Sequence, residues 1–123
     1  MTLKFNNRDP VYIQVIQYFK ERIAKGELEP GEEIPSRREL ASQLKINPNT
    51  AQRAYKEMEE AGLIFTEGNL PSRITKDVDV LRAVREELIM EAVEAFVYSM
   101  RNIHVPLDDV LRLIKEKYEA EHE

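Results

Sequence analysis

Asn49, Gln52, Arg53 and Lys56 follow one another at i, i+3, i+4 and i+7, the spacing that puts side chains on one face of a helix. Their chemistry is that of a reader of nucleic acid. An Asn or Gln amide can bond adenine bidentately, an Arg guanidinium can bond guanine O6 and N7, and a Lys ammonium suits a phosphate. The complementary set, Ala51, Ala54, Tyr55 and Met58, repeats with the same spacing and must face a core.

The stretch that precedes this face, "INPNT" at residues 46–50, reads as an abrupt helix start with Asn47 at the N-cap and Pro48 at the first helical position. Such a start exposes backbone N–H groups, which with Thr50 can bind a phosphate, so Asn47 and Thr50 join the candidate DNA contacts. Arg37 and Arg38, just after Ser36, fall where a neighbouring helix would meet the DNA backbone. Taken alone, they are equally well read as surface arginines.

Catalysis lacks its parts. The sequence has no Gly-rich phosphate loop, no Ser/His/Asp arrangement at recognisable spacing and no cysteine, and its imidazoles are His104 and His122. Glu86, Glu87, Glu91 and Glu94 resemble a carboxylate metal site, but the Glu-x-x-His partner of such sites is missing, so a solvated acidic face is expected. No metal, cofactor or enzymatic activity is expected.

The elements that must position the reading face can be laid out along the chain. In "RDPVYIQVIQYFKERIAKG" the residues Tyr12, Ile16, Phe19 and Ile23 have helical spacing, with Asp9 as N-cap, Pro10 at the first position and an end at Gly26. Pro30-Gly31 makes a turn, and an extended piece follows through Ile34. Ser36 and Glu39 then form a capping box ahead of Leu40 and Leu44, so a second helix starts at Ser36. After Lys45 to Asn47 a third helix runs to about Ala61, where Gly62 supplies a left-handed stop.

"LIFTEGNLPSRIT" reads as two short strands about a turn at Glu67-Gly68-Asn69. Three helices and a hairpin, with the second and third helices close together, give the order of a winged helix-turn-helix. The expected fold is mainly α with a small β-hairpin, the winged domain occupying 1–76 and an α-helical tail 77–123. In the tail, Leu81, Val84, Leu88, Ala92, Phe96, Met100 and Ile103 form a nearly heptad stripe. A break at "HVP", with His104 at a helix end, leads to a last helix at roughly 107–120. Leu107, Val110, Leu111, Ile114 and Tyr118 line one side of it.

Charge is divided in the same way. Net charge is −5, yet residues 1–76 carry 12 Lys and Arg against 11 Asp and Glu, whereas 77–123 carry 6 against 12. The acidity belongs to the tail, which keeps it away from DNA. No apolar run reaches signal-peptide or membrane-span length, and a soluble, cytoplasmic protein is expected.

The run "GELEPGEEIPSRRELASQLKINPNTAQRAYKEMEEAGLI", residues 26 to 64, resembles the DNA-binding domain of the GntR family of bacterial transcription regulators. That family is marked by a Gly-x-Leu-x-Pro-Gly-x-x-Leu/Ile-Pro-Ser run, an Arg-Glu-Leu helix and a Thr-x-x-x-Ala helix. The Asn-Pro-Asn-Thr start is similar to the YtrA subfamily, in which a short two-helix tail replaces a large effector domain. The resemblance implies a homodimer on an inverted repeat, usually repressing, often near transporter genes. It matches Arg38 to a DNA-contacting arginine and Thr50 to the family's threonine.

Two departures bear on specificity. Many relatives have Arg where this chain has Pro48 and Gln52, so its operator cannot be copied from theirs. The usual Gly-x-Gly wing tip and its aromatic are replaced by "EGNLPSRIT", which leaves Arg73 as the wing's one plausible contact, beside a Glu67 that phosphates would repel.

A tail of this length cannot build a core by itself, whereas two tails can. Leu81, Val84, Leu88, Ala92, Phe96, Met100, Ile103, Leu111 and Ile114 are therefore the expected dimer interface, holding two recognition helices about one DNA turn, roughly 34 Å, apart. The alternative packing is a tail folded back on its own winged domain. The sequence leaves open an unidentified small-molecule effector. The alternative function is a winged protein-interaction module whose acidic tail docks a partner.

Overall fold

The computed structural model describes residues 3–121, so His122 lies outside it. The elements are α1 (Val11–Ala24), α2 (Arg37–Leu44), α3 (Pro48–Glu60), β1 (Ile64–Phe65), β2 (Arg73–Ile74), α4 (Val78–Asn102) and α5 (Leu107–Glu121). The order is that of the winged helix-turn-helix expected from the sequence.

α1 starts differently from the expectation. Its N-cap position is Pro10, and no side chain caps it. Asp9 is not the cap because Asn6 organises the turn instead. The Asn6 side-chain oxygen accepts from the N–H groups of Arg8 and Asp9, and the Gln14 amide donates to the carbonyls of Asn6 and Asp9. One Asx turn and one clamp thus replace a carboxylate cap.

The capping box of α2 forms in full. Ser36 Oγ accepts from the Glu39 N–H at 3.1 Å, and Glu39 Oε1 accepts from the Ser36 N–H at 3.0 Å. That backbone bond, and then the hydroxyl, hold the Glu39 carboxyl below its ordinary value. Its stabilising contribution is therefore present above the ordinary carboxylate range and fades as pH falls through the lowered value. Ser36→Ala is expected to lower stability by about 1 kcal/mol in denaturant titration, leaving the helix order unchanged.

The turn into α3 is three residues long. Lys45 takes the left-handed conformation (φ 56°), and the N–H groups of Lys45 and Ile46 return to the Ala41 carbonyl. Asn47 Oδ1 then accepts from the Asn49 N–H at 2.8 Å, with Pro48 opening the helix. Gly62 (φ 77°) stops it as expected.

α1 and α2 pack on α3. Tyr55, Phe19, Leu40, Met58, Ile74 and Val15 are the largest side chains wholly out of water. Phe19 meets Tyr55 edge to face, centroids 6.0 Å apart. The strands are only two residues long, paired antiparallel as Ile64 with Ile74 and Phe65 with Arg73. The extended piece before α2 adds a third lane, because Ile74 N–H donates to the Glu32 carbonyl and Ile34 N–H to that of Ser72.

The chain divides into two compact units at Leu88/Ile89, within α4. In the first, Asp77 Oδ1 caps α4 by accepting from the Asp79 N–H. Val84 is buried in the winged domain's own core, and Leu81 and Leu88 pack against it. The second unit holds the rest of α4 and α5, whose larger apolar side chains are exposed: Ile89, Met90, Val93, Phe96 and Val97, then Leu111, Leu113 and Ile114. Between these helices His104 takes a left-handed conformation (φ 57°), closing the C-terminal turn of α4.

Candidate nucleic-acid interface

Ala51, Ala54, Tyr55 and Met58 are all buried, which fixes the rotation of α3. Asn49, Gln52, Arg53 and Lys56 are accordingly all exposed on the other side. Asn47 is exposed at the cap and Thr50 is half-buried in the first turn. Arg38 is exposed in the first turn of α2, the helix that the short turn joins to α3.

The cationic residues fall into two groups. Arg38 and Lys56 form no ion pair among the described residues. The three other candidate arginines are engaged within the protein. Arg37 donates from Nη2 to Glu59 Oε1 at 3.3 Å, with its guanidinium carbon 5.2 Å from the Tyr55 ring centroid. Arg73 donates from Nη1 to the Gly31 carbonyl and from Nη2 to Glu33 Oε1, both at 2.9 Å. It therefore fastens the hairpin to the extended piece before α2.

Arg53 is the third. Its Nε donates to Glu57 Oε2 at 3.2 Å, and its guanidinium carbon lies 3.8 Å from the centroid of the Tyr12 ring. Neither Tyr12 nor Glu57 was among the site residues read from the sequence. Glu57 could have been found, since Arg and Glu four apart on a helix pair readily. Tyr12 could not, because its approach depends on how α1 packs on α3.

The wing is the loop from Thr66 to Ser72. Thr66 Oγ1 donates to Glu59 Oε1 at 2.6 Å and lies 2.6 Å from Ser72 Oγ, so Glu59 ties the base of the wing to Arg37 of α2. Glu67, Gly68, Asn69 and Leu70 at the tip are exposed.

The Tyr55 hydroxyl donates to the Pro35 carbonyl, joining α3 to the chain just ahead of α2. Burial raises the pKa of this phenol, so it remains a donor at neutral pH.

A short-turn helix pair presenting amides and cations from its second helix, backed by a wing, defines the class of DNA-binding transcription regulators. The chain belongs to the gntR family of bacterial regulatory proteins, whose family model matches residues 11–74. It is 34% identical over 115 residues to the uncharacterized HTH-type transcriptional regulator YhcF of Bacillus subtilis (strain 168), covering 94% of this chain and 95% of that one. It is 35% identical over 108 residues to the HTH-type transcriptional repressor YtrA of the same organism, covering 87% and 83%. Among solved structures, a GntR family transcriptional regulator from Listeria monocytogenes superimposes with a TM-score of 0.84 at 29% identity, covering 91% of this chain and 98% of that one. These findings favour DNA binding over a protein-interaction module.

Proposed function

We propose that the protein acts in the cytoplasm as a homodimeric repressor that binds an inverted-repeat operator. Asn49, Gln52 and Arg53 read bases, Arg38, Thr50 and Lys56 hold phosphates, and Ala92, Phe96, Met100, Ile103, Leu111 and Ile114 join the two copies. Leu81, Val84 and Leu88 are left out of that interface because they serve their own chain's core. Arg37 and Arg73 are assigned to holding α2 and the wing, since Arg37 pairs with Glu59 and Arg73 is fastened to Gly31 and Glu33.

The observation that carries the reading is the polar face of α3, exposed from the first turn to Lys56 behind a buried Ala51–Met58 stripe. Repression is supported by the likeness to the B. subtilis repressor YtrA, which extends well beyond the winged domain. The functional boundary is placed at 76/77, where the hairpin ends and α4 begins to carry the chain toward its tail.

Selection from random duplex DNA at moderate salt, followed by sequencing, tests this. An enriched inverted repeat is the expected result; equally weak retention of every sequence would sink the proposal. On the enriched site, Arg53→Ala should lose about 1–3 kcal/mol of binding and relax the preference at one base pair per half-site. Lys56→Ala should weaken all sequences alike and reduce the salt slope by about one. Identical behaviour of the two variants would show the face to be misassigned.

A further inference from the structure

We infer that Tyr12, in α1 and outside the helix-turn-helix, sets the base selectivity of Arg53 by holding its guanidinium in one plane; this rests on Arg53 being a base reader. The geometry is specific. The guanidinium carbon lies over the Tyr12 ring, 3.8 Å from its centroid, and Nε–H donates to Glu57 Oε2 at 3.2 Å. The two Nη groups make no hydrogen bond among the described residues, and 62% of the side chain is exposed. What is held is thus the stem and the plane, and what is left open is the pair of parallel donors that bidentate recognition of guanine uses.

An arginine at the same place without these supports would sample many rotamers and could satisfy several bases or a phosphate. Fixed against an aromatic face, it can meet only an acceptor pair lying in its own plane. Tyr12 and Glu57 are therefore positioning residues, acting on DNA through Arg53.

The test uses the full chain and the operator obtained by selection, with duplexes differing only at the base pair whose preference Arg53→Ala removes. Tyr12→Phe keeps the ring and should retain the wild-type preference within about twofold. Tyr12→Leu keeps apolar volume but no aromatic face, and should reduce the preference at that pair by about fivefold. Other positions and the salt slope should stay as they are. Glu57→Ala, a surface change that leaves the core intact, should reduce the preference at the same pair even if Tyr12→Leu fails to fold.

Unchanged preference in a folded Tyr12→Leu, or an even loss at all positions, would overturn the inference and leave the trio as a packing contact, and so would unchanged preference in Glu57→Ala should Tyr12→Leu fail to fold. If Arg53→Ala itself leaves every preference intact, it is the base-reading role of Arg53 that falls, and the inference goes with it.

Discussion

Phe96→Glu combined with Met100→Glu should yield a monomer in sedimentation equilibrium, and operator affinity should fall by about 10²–10⁴-fold. The second compact unit consists of the end of α4 and α5 alone, and it leaves Phe96, Val97, Leu111 and Ile114 substantially open to water. Two helices of this size do not bury enough surface to stand without help. In the proposed dimer a second copy covers the stripe, and two carboxylates placed in its middle would have to be desolvated without partners.

The large loss on DNA follows from linkage. With two half-sites joined, the second binding step is intramolecular, and a monomer forfeits that advantage without losing any direct contact. A variant that stays dimeric would place the interface elsewhere. One that becomes monomeric yet keeps its operator affinity would show that each half-site is bound independently.

The second large effect is on stability. Tyr55→Ala should lose about 3–5 kcal/mol in urea titration at fixed protein concentration, a large share of the roughly 5–15 kcal/mol typical of a folded domain. The ring is completely buried and meets Phe19 edge to face, and it carries the Arg37 guanidinium on its face. Tyr55→Phe retains all of that and removes only the bond to the Pro35 carbonyl, for which about 1–2 kcal/mol is expected. Near-equal losses in the two variants would mean that the hydroxyl bond, and not the packing, holds α3 to the segment before α2.

The parts of the fold that were legible in the sequence are those decided by neighbours in the chain. Ser36 with Glu39, Asn47 with Pro48 and Gly62 are local devices, and each sits where its residue types require. The rotation of α3 was equally readable, because small and large apolar residues at i, i+3, i+4 and i+7 leave only one face for solvent. Asp9 was misread because two turn-forming polar residues, Asn6 and Asp9, competed for one role, and the Asn6 amide with Gln14 took it.

What was not legible is which polar residues would find partners inside the protein. Arg73 looked like a wing contact, yet its partners Gly31 and Glu33 lie some forty residues back. Periodicity likewise groups Val84 with Phe96 on one stripe, although one belongs to the winged domain's core and the other is exposed. A stripe specifies a face; the structure around it decides what covers that face.

The engagement of Arg37, Arg53 and Arg73 within the chain reaches beyond the contact itself. A cation already paired with a carboxylate displaces few counterions when DNA approaches, so on the proposed interface arbitrary sequence would be held mainly through Arg38, Lys56 and the first turn of α3. Because a chromosome offers a vast excess of arbitrary sites, a regulator with a light grip on them loses less of its population to bulk DNA. Operator occupancy should then track the number of protein copies in the cell, and a small change in expression becomes a usable signal.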